Sequence, residues 1–166
     1  VIREDVSLLG KYAKDSDRQI LDIIGFVISD NGIGFNDRNY AEFDKSDTTY
    51  KARIGGKGIG RFTYLVAFDM AEIESAYQED GFTKKRKFVF SIAENGIGHH
   101  SIDLAEGEKR GTIVRLLGYK ERYRKQCPKR LDVIASYIIE EFLDIFIGDK
   151  CPSVTLIDNY SNQTID

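Results

Sequence analysis

The apolar positions of this chain change their period from one stretch to the next, and each change marks an element. From about Ile20 to Ile28 they run almost unbroken, through Ile23, Ile24, Phe26 and Val27, which predicts a buried strand. Val1 to Ser7 predicts an earlier strand, separated from it by a polar loop around Lys14-Asp15-Ser16-Asp17. Asn36 to Phe43 predicts a short helix with Asn36 or Asp37 as its cap, and the polar, unpatterned Asp44 to Ile54 predicts a loop. A helix from about Gly60 to Phe68 follows. The period then shortens. Ala71 to Tyr77 partly alternates, Glu79-Asp80-Gly81 reads as a turn, and strands are predicted over Phe82–Ile92, Gly98–Leu104 and Gly111–Leu117. Near the end, Leu131, Ile134, Ala135, Ile138, Ile139, Phe142, Leu143 and Phe146 recur at helical spacing, predicting one long amphipathic helix with Glu140, Glu141 and Asp144 on its wet side. Ser153 to Ile157 predicts a closing strand. Helices set against a mostly antiparallel sheet make an α+β two-layer sandwich, with the helices on one face.

Composition narrows the function classes. The 166 residues suit a single domain, and 42% apolar with 31% charged residues is ordinary for a globular protein. A net charge of -3 argues against a dedicated nucleic-acid binder. No apolar stretch reaches membrane-spanning length, and Val1-Ile2-Arg3-Glu4-Asp5 is no signal sequence. Cys127 and Cys151, each followed by proline, have no metal-ligand spacing and fit a reduced, cytoplasmic setting better than a disulfide.

Two glycine boxes carry the chemistry. Asp30-Asn31-Gly32-Ile33-Gly34-Phe35 closes the buried strand, and Gly55-Gly56-Lys57-Gly58-Ile59-Gly60-Arg61-Phe62 opens the helix after the polar loop. A carboxylate at a strand end can accept a hydrogen bond from an exocyclic amine. Bare amides at the start of a helix, with its dipole behind them, can cradle phosphates. Each box has a plain alternative, a β-turn for the first and a helix cap for the second. The P-loop pattern fails because Gly58 rather than Ser or Thr follows Lys57, and the dinucleotide pattern fails for want of a βαβ unit. Asn95-Gly96-Ile97-Gly98 repeats half of the first box, with Glu94 in place of the aspartate, and reads as a hairpin turn. Only the paired arrangement points to a nucleotide. Arg110-Gly111-Thr112 at the start of an alternating strand supplies a third element.

Other chemistry-bearing residues have bland readings. His99 and His100 are neighbours on an extended segment, so they face opposite sides and make a poor shared site. Lys84-Lys85-Arg86-Lys87 and the basic cluster from Lys120 to Arg130 read as solvated faces. Tyr64 and Phe68 read as core positions rather than stacking platforms.

Taken together, the three boxes resemble the GHKL superfamily of ATPases, which includes gyrase B, the heat-shock-ninety chaperones, histidine kinases and MutL. The resemblance runs from about Ile20 to Ile157. It implies that Asp30 binds the adenine amine, that Gly34 lets the base approach the backbone, with Gly32 beside it in the binding set, and that Phe35 packs on the ring. It implies that Gly55, Gly58 and Gly60, with Lys57, Ile59, Arg61 and Phe62 around them, line the triphosphate. Thr112 maps to the family's threonine near the adenine-bound water network. Residues 36–54 would be the ATP lid, and residues 128–158 a helix-and-strand extension like that closing the chaperone branch. The implied ligands are ATP or ADP, with magnesium in the intact parent.

One departure matters. The family places a helix before the first box, with an asparagine for magnesium and an acidic residue for water, and no E-x-x-x-N or D-x-x-x-N pair precedes Asp30. The chain is therefore expected to be a fragment beginning after that helix, so no catalytic or metal-ligating residue is assigned. The implied partners are other domains of a larger protein or a second copy in a homodimer. A histidine-kinase catalytic domain and a non-catalytic interaction domain remain as alternative readings.

Overall fold

Long extended runs with alternating burial dominate the structure, a computed structural model that describes residues 1–3, 21–44, 60–148 and 151–166, the side chains of 60–62 excepted. The elements are β1 (Ile2–Arg3), β2 (Ile23–Asp30), α1 (Asp37–Asp44), α2 (Gly60–Ala67), β3 (Phe68–Glu79), β4 (Phe82–Ser91), β5 (Gly96–Leu104), β6 (Gly111–Tyr119), α3 (Glu121–Arg124), α4 (Leu131–Glu141), α5 (Leu143–Ile147), β7 (Leu156–Ile157) and β8 (Thr164–Ile165). Strands β1 to β6 form an antiparallel sheet in the order β1-β2-β6-β3-β4-β5, and the class is α+β. Two compact units are distinguishable, residues 26–120 and residues 1–25 with 121–166.

In residues 26–120 the register explains the core. Phe26, Leu116, Ala71 and Phe90 lie opposite one another across four strands, and Ile28, Val114, Ile73 and Phe88 form the next row on the same face. Helix α1 covers this face, its Phe43 ring meeting Phe88 and Phe90 at 5.5 and 5.3 Å. Tyr64, Leu65 and Ala67 of α2 pack against the same cluster. Burying Ile73 and Phe88 nearly completely contributes roughly 1.5–3 kcal/mol each. The other face is polar. Glu74 pairs there with Arg115 and, at 3.7 Å, with Lys85, the alternation expected of a sheet with one wet side.

Turn chemistry closes the strands as the sequence implies. Asp80 and Gly81, both with positive φ, make the two-residue turn between β3 and β4. Asn95-Gly96 closes the β4–β5 hairpin. His99 and His100 fall in a bulge opposite Phe88, between the pairs Lys87–Ser101 and Val89–Gly98.

Residues 1–25 with 121–166 are held differently. The Arg3 guanidinium donates to Asp158 Oδ2 at 2.7 Å, to the Leu21 carbonyl at 2.7 Å and to the Lys129 carbonyl at 2.9 Å. The pair Arg3–Asp158 is almost fully buried. Here the single long helix predicted from Leu131 to Phe146 needs correction: α4 ends at Glu141 and Phe142 interrupts, with φ -114° and ψ 24°. The dry stripe also fails in part, because Ile139, Phe142 and Leu143 are exposed. The closing strand shrinks to Leu156–Ile157 and gains an unforeseen partner, Thr164–Ile165. A strand needs an edge to pair with, and that edge is set by the Asp158–Gln163 turn rather than by apolar period.

Of the remaining expectations, the rest of the first strand (4–7), the Lys14–Asp17 loop, residue 20, the loop from 45 to 54 and the second box from Gly55 to Ile59 lie outside the described residues. Of residues 36–54, Asn36 and α1 are described. Within 128–158 the structure places α4, α5 and β7. Cys127 and Cys151 are both free thiols.

Candidate functional site

The first box begins where β2 ends. Asp30, the last residue of the strand, lies directly opposite Thr112 of β6, which lies opposite Ser75 of β3, which lies opposite Arg86 of β4. These four form a polar row on the face that carries α1, next to the apolar row of Ile28, Val114, Ile73 and Phe88. At the Asp30 end the face is open: Ile28 is 48% exposed although its row-mates Ile73 and Phe88 are each 2% exposed. Asp30 itself is exposed, and its Oδ1 accepts the Gly32 amide at 2.7 Å. The turn leaves Oδ2 with no hydrogen bond among the described residues.

Gly34 has to be glycine. Its φ is +78°, and a Cβ there would sit 2.6 Å from the Ala76 carbonyl oxygen and 2.9 Å from Ser75 Oγ. The loop therefore presses its bare backbone onto β3. Gly111 is constrained in the same way, since a Cβ at its φ of +154° would collide with the Asp30 carbonyl. The Gly111-Thr112 pair is thus more than a strand start: the glycine lets β6 close against the end of β2 and sets Thr112 opposite Asp30.

Several side chains hold this loop, and sequence reasoning missed most of them. Ser75 Oγ accepts the Phe35 amide at 2.8 Å and lies 3.1 Å from both the Gly111 carbonyl and Thr112 Oγ1. Asn36 Oδ1 caps α1 by accepting the Asn39 amide at 2.9 Å, and the buried Asn39 amide group donates to the Gly34 carbonyl at 2.8 Å. Arg86 is 1% exposed, which corrects the reading of Lys84–Lys87 as a solvated run: strand alternation turns this one cation inward. It donates to the Asn36 carbonyl at 3.2 Å, to Asp37 and to the Tyr77 hydroxyl at 3.2 Å, and its guanidinium lies 4.4 Å from the Tyr40 ring centre. A signal existed for Ser75. It is the one polar residue in the inward series Ala71, Ile73, Ser75, Tyr77.

The structure brings Asp30, Gly32, Gly34 and Thr112 together at one end of the sheet. Phe35 is held elsewhere by its ring, which meets Phe43 and Phe88 edge-on at 5.4 Å each within the core. Gly60 is the first residue of α2, with Arg61 and Phe62 following in the helix. Gly55, Lys57, Gly58 and Ile59 lie outside the described residues. One turn into α2, burial raises the Tyr64 phenol above its usual range, and the Asp30 carboxylate raises it further.

His99 and His100 part company as alternation and the bulge require. His99 meets Glu94 at 3.2 Å, while His100 stacks on Tyr40 at 4.5 Å. Burial and the Arg86 charge lower the His100 pKa. Among the described residues no group of three or more His, Cys, Asp or Glu side chains could hold a metal ion, and no helix is long and apolar enough to cross a membrane. No protein-family model matches the chain, and no curated protein matches it.

Proposed function

We propose that residues 26–120 are the adenine-nucleotide site of a GHKL-type ATPase, with a Bergerat-type arrangement of helices over one face of an antiparallel sheet. The observation that carries this reading is the direct cross-strand pairing of Asp30 with Thr112 beside the inward-turned Gly34. Asp30 accepts a hydrogen bond from the 6-amino group of adenine. Thr112 binds the same edge of the base, directly or through water. Gly34 packs the loop onto β3, and exposed Ile28 offers the ring an apolar wall. The Gly60 amide, at the head of α2, receives the phosphates together with the amides of Gly55 and Gly58, and Lys57 adds a charge.

In this reading nucleotide binding is coupled to lid closure and to dimerisation or docking of other domains in a larger protein. ATP supplies a transferable phosphoryl group. No residue of this chain is assigned to magnesium or to activating water. Calorimetry with ATP on the wild type and Asp30→Asn tests the site. Losing a charge-assisted bond costs roughly 1.5–3 kcal/mol, so the variant binds about tenfold or more weakly. Equal affinity removes the role given to Asp30.

A further inference from the structure

The unit formed by residues 1–25 and 121–166 carries an apolar surface that its own fold leaves uncovered. Ile139, Phe142, Leu143 and Ile145 are each about half exposed, and Ile147 is 74% exposed. Beside this run Ile138, Ile139, Phe146, Val154, Leu156 and Ile165 line a groove of about 360 Å³, within the size range of clefts that take a ligand. Asp166 completes its wall. The charge here has one sign. Residues 131–166 hold seven acidic side chains and a single basic one, Lys150, which lies outside the described residues. Asp132 and Asp158 are matched by Arg130 and Arg3. Glu140, Glu141 and Asp144, set among the exposed apolar residues, take part in no ion pair among the described residues. Glu140 and Glu141 also close α4 with no basic residue in its last turn. Two carboxylates at the negative end of a helix dipole cost stability, and they deepen the negative potential beside Ile139 and Phe142.

We infer that this groove and the apolar run beside it are a docking surface for a basic amphipathic helix of a partner protein. The inference stands apart from the nucleotide site and shares no residue with it. A contiguous exposed apolar patch marks an interaction surface, and the charges interspersed with it select the occupant. Glu140 and Glu141 follow Ile139 directly, and Asp144 lies between Leu143 and Ile145. A partner must therefore bring apolar and basic groups side by side. A helix with anchors at i, i+3 or i+4 and i+7, flanked by lysine or arginine, does so. The anchors enter the groove, and the cations meet the unpaired carboxylates. A second copy presenting the same face across a two-fold axis would set these acids against their own counterparts. An anionic lipid surface meets the same repulsion.

Fluorescence anisotropy of labelled synthetic peptides against the full chain provides the test. One peptide repeats leucine at the helical i, i+3, i+4 and i+7 spacing with lysine elsewhere. A second replaces its lysines by glutamate, and a third scrambles the first. The full chain binds the leucine–lysine helix about tenfold or more tightly than either control, and salt weakens the binding. Glu140→Lys/Glu141→Lys/Asp144→Lys loses that preference and takes the leucine–glutamate helix instead. Ile139→Ser keeps every charge and still weakens the leucine–lysine helix about threefold or more, which separates docking from general attraction of a cation to an acidic protein. The charge reversal, made on exposed side chains, carries the test if Ile139→Ser does not fold. Equal binding of the leucine–lysine helix and its scramble, or one affinity for all variants, overturns the inference. A concentration-dependent dimer that Ile139→Ser abolishes also overturns it, in favour of a second copy. Sedimentation with phosphatidylserine vesicles that Ile139→Ser abolishes overturns it in favour of a membrane.

Discussion

In residues 26–120 the inward strand positions Ala71, Ile73, Phe88, Phe90 and Leu116 are dry, and exposure is kept to the Asp30 end, at Ile28 and Asp30. In the unit formed by residues 1–25 and 121–166, the helical stripe from Leu131 to Phe146 is buried fully only at Leu131, and Ile139, Phe142, Leu143, Ile145 and Ile147 are exposed. The first unit is held by an apolar core between a sheet face and two helices. The second leans on a buried polar clamp, Arg3 with Asp158 and the Leu21 and Lys129 carbonyls. The lesson is physical. Cross-strand register fixes what lies opposite each apolar residue, whereas helical period fixes only which side is apolar and leaves its cover undetermined.

The contrast breaks most readily at its strongest points. Phe88→Ala removes a ring that touches Phe35, Tyr40 and Phe43. It should cost about 3–5 kcal/mol in denaturant unfolding, with loss of amide protection centred on β3, β4 and α1. Arg3→Ala leaves the Asp158 carboxylate buried without its cation. It should cost about 3 kcal/mol, with lost protection confined to residues 156–165 rather than to the sheet core. If Arg3→Ala instead loosened β3 and β4, the clamp would not be local and the contrast would fail.

Acid sharpens the same contrast more gently. Burial opposes ionisation of Asp158, but its bond to Arg3, the Tyr160 amide and the Ser161 hydroxyl outweigh burial and hold the carboxyl below its usual value. A carboxyl lowered by folding stabilises fully above its unfolded pKa, and the contribution is lost as pH falls through the folded one. Hydrogen-exchange protection around residues 157–163 should therefore decline on the acid side of about pH 4. In Asp158→Asn that decline should be absent and protection lower throughout. The smallest effect concerns Tyr64. Asp30→Asn removes the charge that adds to burial in raising its phenol, so its titration, followed by absorbance, should move down toward the ordinary tyrosine value.

These outcomes also mark what was legible in the chain. The strands β3 to β6 could be read because alternation and the Asp80-Gly81 and Asn95-Gly96 turns are local signals. Gly34 could be picked out from its place after a strand-ending aspartate, and its φ and the nearness of the Ala76 carbonyl give the reason for a glycine there. Ser75 stands out as a polar residue in its inward series, but what it and Arg86 do was hidden. Their roles depend on lying opposite Thr112 and under Asn36, and no single strand records its partners. The break at Phe142 was hidden as well, since neither glycine nor proline announces it. Phe35 shows the reverse case, a residue whose ring could serve base or core by sequence and which packs among Phe43 and Phe88.

An amide-resolved titration of the full chain with ATP addresses the nucleotide site and the contrast between units at once. The predicted result is chemical-shift change concentrated at Asp30 to Phe35, Thr112 and Gly60, with the Asp158–Gln163 turn unmoved. Shifts gathered in residues 121–166, or none at saturating ATP, would contradict it.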